Sequence, residues 1–244
     1  GASGYEWSRV EKHLAQEHTV YTLDLLGCGR SDKSSITYTN FVYVQMISDF
    51  IKKIIGQKTD VIASGFSGSF VTMACHNEKE LFNKIMLVNP PSLTQLKQMP
   101  NRKDRLLKAA LEIPIFGTLV YHMIVSRDNI NNLFIEKMYY NPFHVDNQMA
   151  DAYYEAAHKG GYYTRFLYSS LAAKYININI CHALKALDNS IYIVEGETEP
   201  NGKAVTDDYC ASNPAIEVSV LKETKHLPHV EAPEAFLEQV KIFF

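Results

Sequence analysis

Ile62-Ala63-Ser64-Gly65-Phe66-Ser67-Gly68-Ser69-Phe70-Val71 runs from an apolar strand through a Gly-x-Ser-x-small turn into a helix. The reading of this stretch decides the fold. A strand that turns sharply into a helix strains the backbone of its central residue, so the neighbours must be small and the central side chain is left exposed above the sheet. The pattern makes Ser67 the candidate nucleophile. Ser69 stands where a full Gly-x-Ser-x-Gly has its last glycine, and it is small enough for close helix packing. Small residues also gather at ordinary strand-to-helix turns, so the stretch alone leaves a purely structural reading equally open.

A serine nucleophile needs an acid and then a histidine later in the chain. Ser190-Ile191-Tyr192-Ile193-Val194-Glu195 reads as a strand that breaks at Gly196-Glu197-Thr198-Glu199-Pro200, which puts Glu199 on the following loop. Glu197, Asp207 and Asp208 are rivals for the acid's place. A second late strand, Ile216-Glu217-Val218-Ser219-Val220-Leu221, leads to Lys225-His226-Leu227-Pro228-His229, and Pro233 opens the final helix. Spacing alone admits either His226 or His229.

Four stretches now line up. Asp24-Leu25-Leu26-Gly27-Cys28-Gly29-Arg30-Ser31-Asp32 resembles an Asp-x-x-Gly-x-Gly-x-Ser-Asp loop, and Gly65 to Ser69 a nucleophile elbow. Gly196 to Pro200 resembles a Gly-x-x-acid-Pro loop, and His226 to Pro233 a His-x-x-x-x-Glu-x-Pro segment. In this order they resemble the α/β-hydrolase family with a helical cap, of the broad esterase, haloperoxidase and C–C hydrolase type. The resemblance implies Ser67 as nucleophile, Glu199 as acid in place of the commoner Asp, and His226 as base. It also implies the Gly68 N–H as one oxyanion donor, at the positive end of the helix.

The function so implied is hydrolysis of an ester or related acyl bond of a small, largely apolar substrate through an acyl-enzyme. The same triad serves C–C bond hydrolysis or perhydrolysis, and a receptor-like member would bind its ligand with little turnover. No cofactor or metal is implied. An Asp nucleophile, as in relatives that open epoxides, is disfavoured by Ser67. Asn89 ends the strand read at Lys84 to Asn89, after which some relatives carry the acid, and an amide there cannot serve.

Gly1-Ala2-Ser3-Gly4-Tyr5-Glu6-Trp7 resembles the end of the loop after the family's third strand. By that resemblance the first three strands and the second oxyanion donor lie upstream, and the chain is expected to be a fragment, poorly stable alone because an interior strand is missing from its sheet.

Alternating strands and helices predict a mostly parallel sheet covered on both faces. Thr19 to Leu25 reads as a strand, Tyr43 to Ile55 as an amphipathic helix, and Thr59 to Ala63 as the strand feeding the turn. From about Pro91 to Leu187 strands give way to helices broken by Pro100, Pro114, Pro142 and Gly160-Gly161. The expected division is therefore a core of residues 1–91 and 188–244 with a helical cap at 92–187. Its aromatics, among them Phe134, Tyr139, Tyr153, Tyr162 and Phe166, are expected mainly to pack the cap, with a few lining an apolar pocket.

A formal net charge of −3 excludes neither a substrate nor a protein partner, but it does not point to nucleic acid or an anionic membrane. Lys97, Arg102, Lys103, Arg105 and Lys108 read as the solvated face of a helix. Cys28, Cys75, Cys181 and Cys210 are far apart and form no C-x-x-C pair, so free thiols in a reducing, cytoplasmic compartment are expected. No apolar run is long enough to span a bilayer.

Overall fold

The computed structural model describes residues 3–244; Gly1 and Ala2, where the loop resemblance begins, lie outside them. The contacts divide the chain into two compact units, Asn40–Gln98 with Asn177–Phe244, and the segment up to Thr39 with Met99–Ile176.

The first unit holds four strands, β1 Thr59–Ser64, β2 Phe82–Val88, β3 Ile191–Gly196 and β4 Glu217–Leu221. They lie in the order β1-β2-β3-β4, and every neighbouring pair is parallel. Parallel neighbours cannot be joined by hairpins, so each strand is joined to the next by a crossover that carries a helix. Four of the helices are α1 Asn40–Phe50, α2 Phe66–Asn77, α3 Gly202–Ser212 and α4 Pro233–Phe243.

The central strands β2 and β3 read as nearly continuous apolar runs because both their faces are covered: Ile85, Met86, Leu87, Val88, Ile191, Ile193 and Val194 are all buried. Tyr43 of α1 stacks on Phe70 of α2 at 4.9 Å, and Phe236 and Val240 of α4 are buried. The helix expected at Tyr43 to Ile55 is α1 continued by one π-helical turn, and it stops at Gly56, whose φ of +71° a side chain would resist. Cys75 is buried on α2 3.4 Å from Asn189 Oδ1, and burial pushes its thiol up to about 12.

The strand expected at Thr19 to Leu25 forms no ladder among the described residues. Local bonds occupy its end instead. The Asp24 carboxylate accepts the Gly4 and Arg30 N–H groups at 2.6 and 2.8 Å, and Ser31 Oγ donates to Asp24 O. Such side-chain bonds offer the backbone an alternative to a sheet.

This segment belongs to the second unit, whereas the sequence division put it with the sheet. It packs on helices: Tyr153 OH donates to Glu6 Oε1, Arg9 pairs with Asp146 at 3.2 Å, and Tyr38 N–H donates to Ser170 Oγ. At the other boundary, Asn177 Nδ2 donates to Gln95 O and Gln98 O, which ties residues on both sides of the helical segment to the sheet unit. Within the second unit, helix Arg102–Glu112 opens with a capping box between Asn101 and Asp104, and Pro114 starts helix Pro114–Ile124.

Of the basic group, Lys97, Arg102, Lys103 and Arg105 are exposed, but Lys108 is buried against Glu112, so the face is only partly solvated. Among the aromatics, Phe134, Tyr139 and Tyr153 are buried, while Tyr140, Phe143, Tyr162 and Tyr163 are exposed. Among the described residues no single helix is long and apolar enough to cross a membrane. Arg102–Glu112 and Pro114–Ile124 reach that length only as a pair bent by 96°.

Candidate active site

Because the four strands are parallel, their C-terminal ends share one edge of the sheet. Gly65 follows β1, Asn89 follows β2, Glu199 lies on the loop after β3 and His226 on the loop after β4. Backbone and side-chain bonds lock these four segments together. Gly65 N–H donates to Val88 O and Asn89 N–H to Val194 O.

The Asn89 side chain is the clamp at the centre. Its Nδ2 donates to Lys225 O and His226 O at 2.8 and 2.9 Å, and its Oδ1 accepts the Gly196 N–H at 3.0 Å. Gly196 has to be glycine, since a Cβ there would stand 1.8 Å from Lys225 O. Glu231, in the segment after His226, accepts the Lys225 N–H at 2.8 Å and closes the loop.

His226 Nδ1 lies 3.1 Å from Glu199 Oε1, with the two side chains 36% and 21% exposed, so the pair is partly buried. A donating Nδ1–H leaves Nε2 as a proton acceptor. Two of the three rival acids are engaged elsewhere: Glu197 accepts the Glu223 N–H, and Asp207 pairs with Lys203 on the surface of α3.

His229 is fully buried beside Phe236. Burial, and secondarily the charge of His226, pulls its imidazole down to about 3, so it stays neutral and inaccessible. Of the two histidines, His226 is the one that is partly exposed and paired with a carboxylate. Glu195, at the end of β3, is buried against Gly202, and burial pushes its carboxyl up.

The turn itself differs from its sequence reading. β1 ends at Ser64 and α2 begins at Phe66, so the single residue at the apex is Gly65, with φ +56° and ψ −132°. Ser67 is the second residue of α2, and its Oγ donates to Ser64 O at 2.5 Å and makes no hydrogen bond to His226. The Gly68 N–H, expected as an oxyanion donor, donates to Gly65 O at 3.1 Å because it already belongs to the first helical turn. The structure thus brings His226 and Glu199 together and leaves Ser67 on the same edge, turned to the backbone.

Among the described residues no group of three His, Cys, Asp or Glu side chains is arranged to hold a metal ion. A polar cavity of about 490 Å³ in this unit lies at the opposite end of the strands, lined by residues such as Lys58, Asn83, Lys84 and Asp188.

A sequence model of the alpha/beta hydrolase family matches residues 1–239. An uncharacterized protein of Mycobacterium tuberculosis is 25% identical over 95 residues, 39% of this chain and 28% of the relative. The chain therefore matches less than a third of that relative's length. Among solved structures, a bromoperoxidase from Bacillus anthracis superposes with a TM-score of 0.77 at 12% identity, over 99% of this chain and 87% of the other. The 2-hydroxy-6-oxo-6-phenylhexa-2,4-dienoate hydrolase of Rhodococcus sp. strain RHA1 does so with 0.77 at 16%, over 100% and 86%. At these identities the likeness speaks to the fold.

Proposed function

The chain belongs to the alpha/beta hydrolase family, and on that premise we propose that it hydrolyses an ester or related acyl bond of a small, largely apolar substrate, with His226 as general base held by Glu199. The observation that carries this reading is the 3.1 Å pair between His226 Nδ1 and Glu199 Oε1 at the C-terminal edge of a parallel sheet. Glu199 fixes the ring so that Nε2 accepts a proton, and it stabilises the imidazolium that forms. Nε2 takes the proton of an attacking hydroxyl and later returns it to the leaving group.

Two oxygens are open to this base, the Ser67 hydroxyl and a water molecule. Ser67 Oγ would first have to leave Ser64 O and turn to another rotamer. The position of the turn's apex at Gly65 favours a second reading, a ligand-binding member with little turnover.

Hydrolysis of p-nitrophenyl acyl esters of increasing chain length tests the first against the second. In the enzyme reading, His226→Ala lowers kcat/KM by about a hundredfold or more, and Glu199→Gln lowers it with little change in KM. A folded wild-type chain that turns over no faster than His226→Ala would leave only the binding reading.

A further inference from the structure

At three of the glycines around the site space is short. A Cβ at Gly68 would meet Leu87 Cδ2 at 3.0 Å, one at Gly196 would meet Lys225 O, and one at Gly202 would overlap the Glu195 carboxyl. Gly65 is different. A Cβ built on it meets nothing within 4 Å, so the space at the apex is open and only the backbone torsion disfavours a side chain.

That torsion, φ +56° and ψ −132°, is the strained state that a one-residue passage from strand to helix imposes on its apex. In a nucleophile elbow the apex residue carries the nucleophile and holds it above the sheet. Here the apex faces the same edge as the base. Gly65 N–H is bonded to Val88 O, and the next residue, Asn89, holds the carbonyl of His226.

Ser67 does not share the position. Two residues along a helix turn a side chain through about 200°, and its hydroxyl closes on Ser64 O. The N–H groups of Phe66 and Ser67, by contrast, have no protein acceptor among the described residues, as expected for the first turn of a helix.

We infer that Gly65 occupies the nucleophile's seat and leaves it without a side chain, so that water activated by His226 attacks the acyl carbon directly and no covalent acyl-enzyme forms at Ser67. The inference rests on the hydrolase reading above. His226 Nε2 takes one proton from the water, whose oxygen bonds to the acyl carbon while the carbonyl π pair moves onto its oxygen. Collapse of that oxyanion breaks the bond to the leaving oxygen, which takes the proton back from the imidazolium. The products are the free acid and the alcohol, and no redox partner enters.

The test is fluorophosphonate labelling of the full chain, with the adduct located by mass spectrometry, in the wild type, in Gly65→Ser and in Gly65→Ser combined with His226→Ala. The wild type is expected to stay unlabelled at Ser67. Gly65→Ser is expected to gain labelling at residue 65, at least tenfold faster than in the double variant.

Rapid labelling of Ser67 in the wild type would overturn the inference and leave the hydrolase reading standing, as would a folded Gly65→Ser chain that takes no label. If circular dichroism shows that Gly65→Ser does not fold, the wild-type result decides alone. Ester turnover that is indifferent to His226→Ala would instead count against the hydrolase reading, whatever the label does.

Discussion

Asn89 does more at this site than its amide chemistry suggests from sequence. Read as a position where an acid is absent, it proves to be the buried clamp on which the His226 loop hangs, with three side-chain bonds and a φ of +42°. Its importance was not legible because none of its partners is a side chain: it binds two carbonyls and one N–H more than a hundred residues away. Asn89→Ala is expected to destabilise the protein by about 2–3 kcal/mol, since it leaves buried backbone groups unpaired; urea unfolding measures it, and a change under about 0.5 kcal/mol would contradict the clamp. Gly65→Ala isolates torsion from crowding, because its methyl group meets nothing. A loss of about 1–3 kcal/mol in the same assay is expected from the backbone alone. His226 and Glu199 were legible as motif members, whereas the apex was not, because Gly-x-Ser reads the same whether the strand stops at Ala63 or at Ser64.

Elements were read best where local pattern and tertiary burial agree. The apolar runs of β2 and β3 are strands because both faces are covered, and Pro233 starts α4 where a proline costs no hydrogen bond. Thr19 to Leu25 has the same strand-like composition, yet composition does not supply a lateral partner, and Asp24 satisfies the neighbouring backbone in another way. The contacts group the segment up to Thr39 with Met99–Ile176 for a related reason: among its described residues it carries no ladder, and it packs on helices. Two element-scale substitutions check these accounts. Asn101→Ala removes the side-chain half of the capping box, while the N–H of residue 101 still donates to Asp104, and it is expected to cost about 1 kcal/mol, read as a lower urea midpoint at constant slope. Gly117→Ala places a methyl group 1.8 Å from Leu111 O, where helix Pro114–Ile124 turns back on its predecessor. It is expected to be far worse than an ordinary glycine-to-alanine change in a helix, which by propensity alone is favourable.

For the molecule as a whole, the buried histidine sets an acid limit. His229 stays neutral in the fold down to about pH 3, while the unfolded chain takes up a proton near 6.5. Below pH 6.5 the unfolded state therefore binds more protons, so stability falls as pH drops from about 6.5 towards 3. Glu195 acts in the opposite sense, because its raised carboxyl favours the fold at low pH and that contribution fades as pH rises. The difference between wild type and His229→Leu isolates the histidine: the wild-type melting temperature is expected to fall between pH 6.5 and 4, and the variant's to fall less. Parallel slopes would rule the histidine out as the cause. Cys75 adds a clock to this picture. A thiol pushed up to about 12 inside α2 carries almost no thiolate at neutral pH and has no path to a reagent in solution. Its modification by a water-soluble disulfide must wait until the helix lifts from the sheet, so the reaction rate counts how often that happens, and its ratio to the rate in denaturant gives the free energy of opening at a single, built-in position.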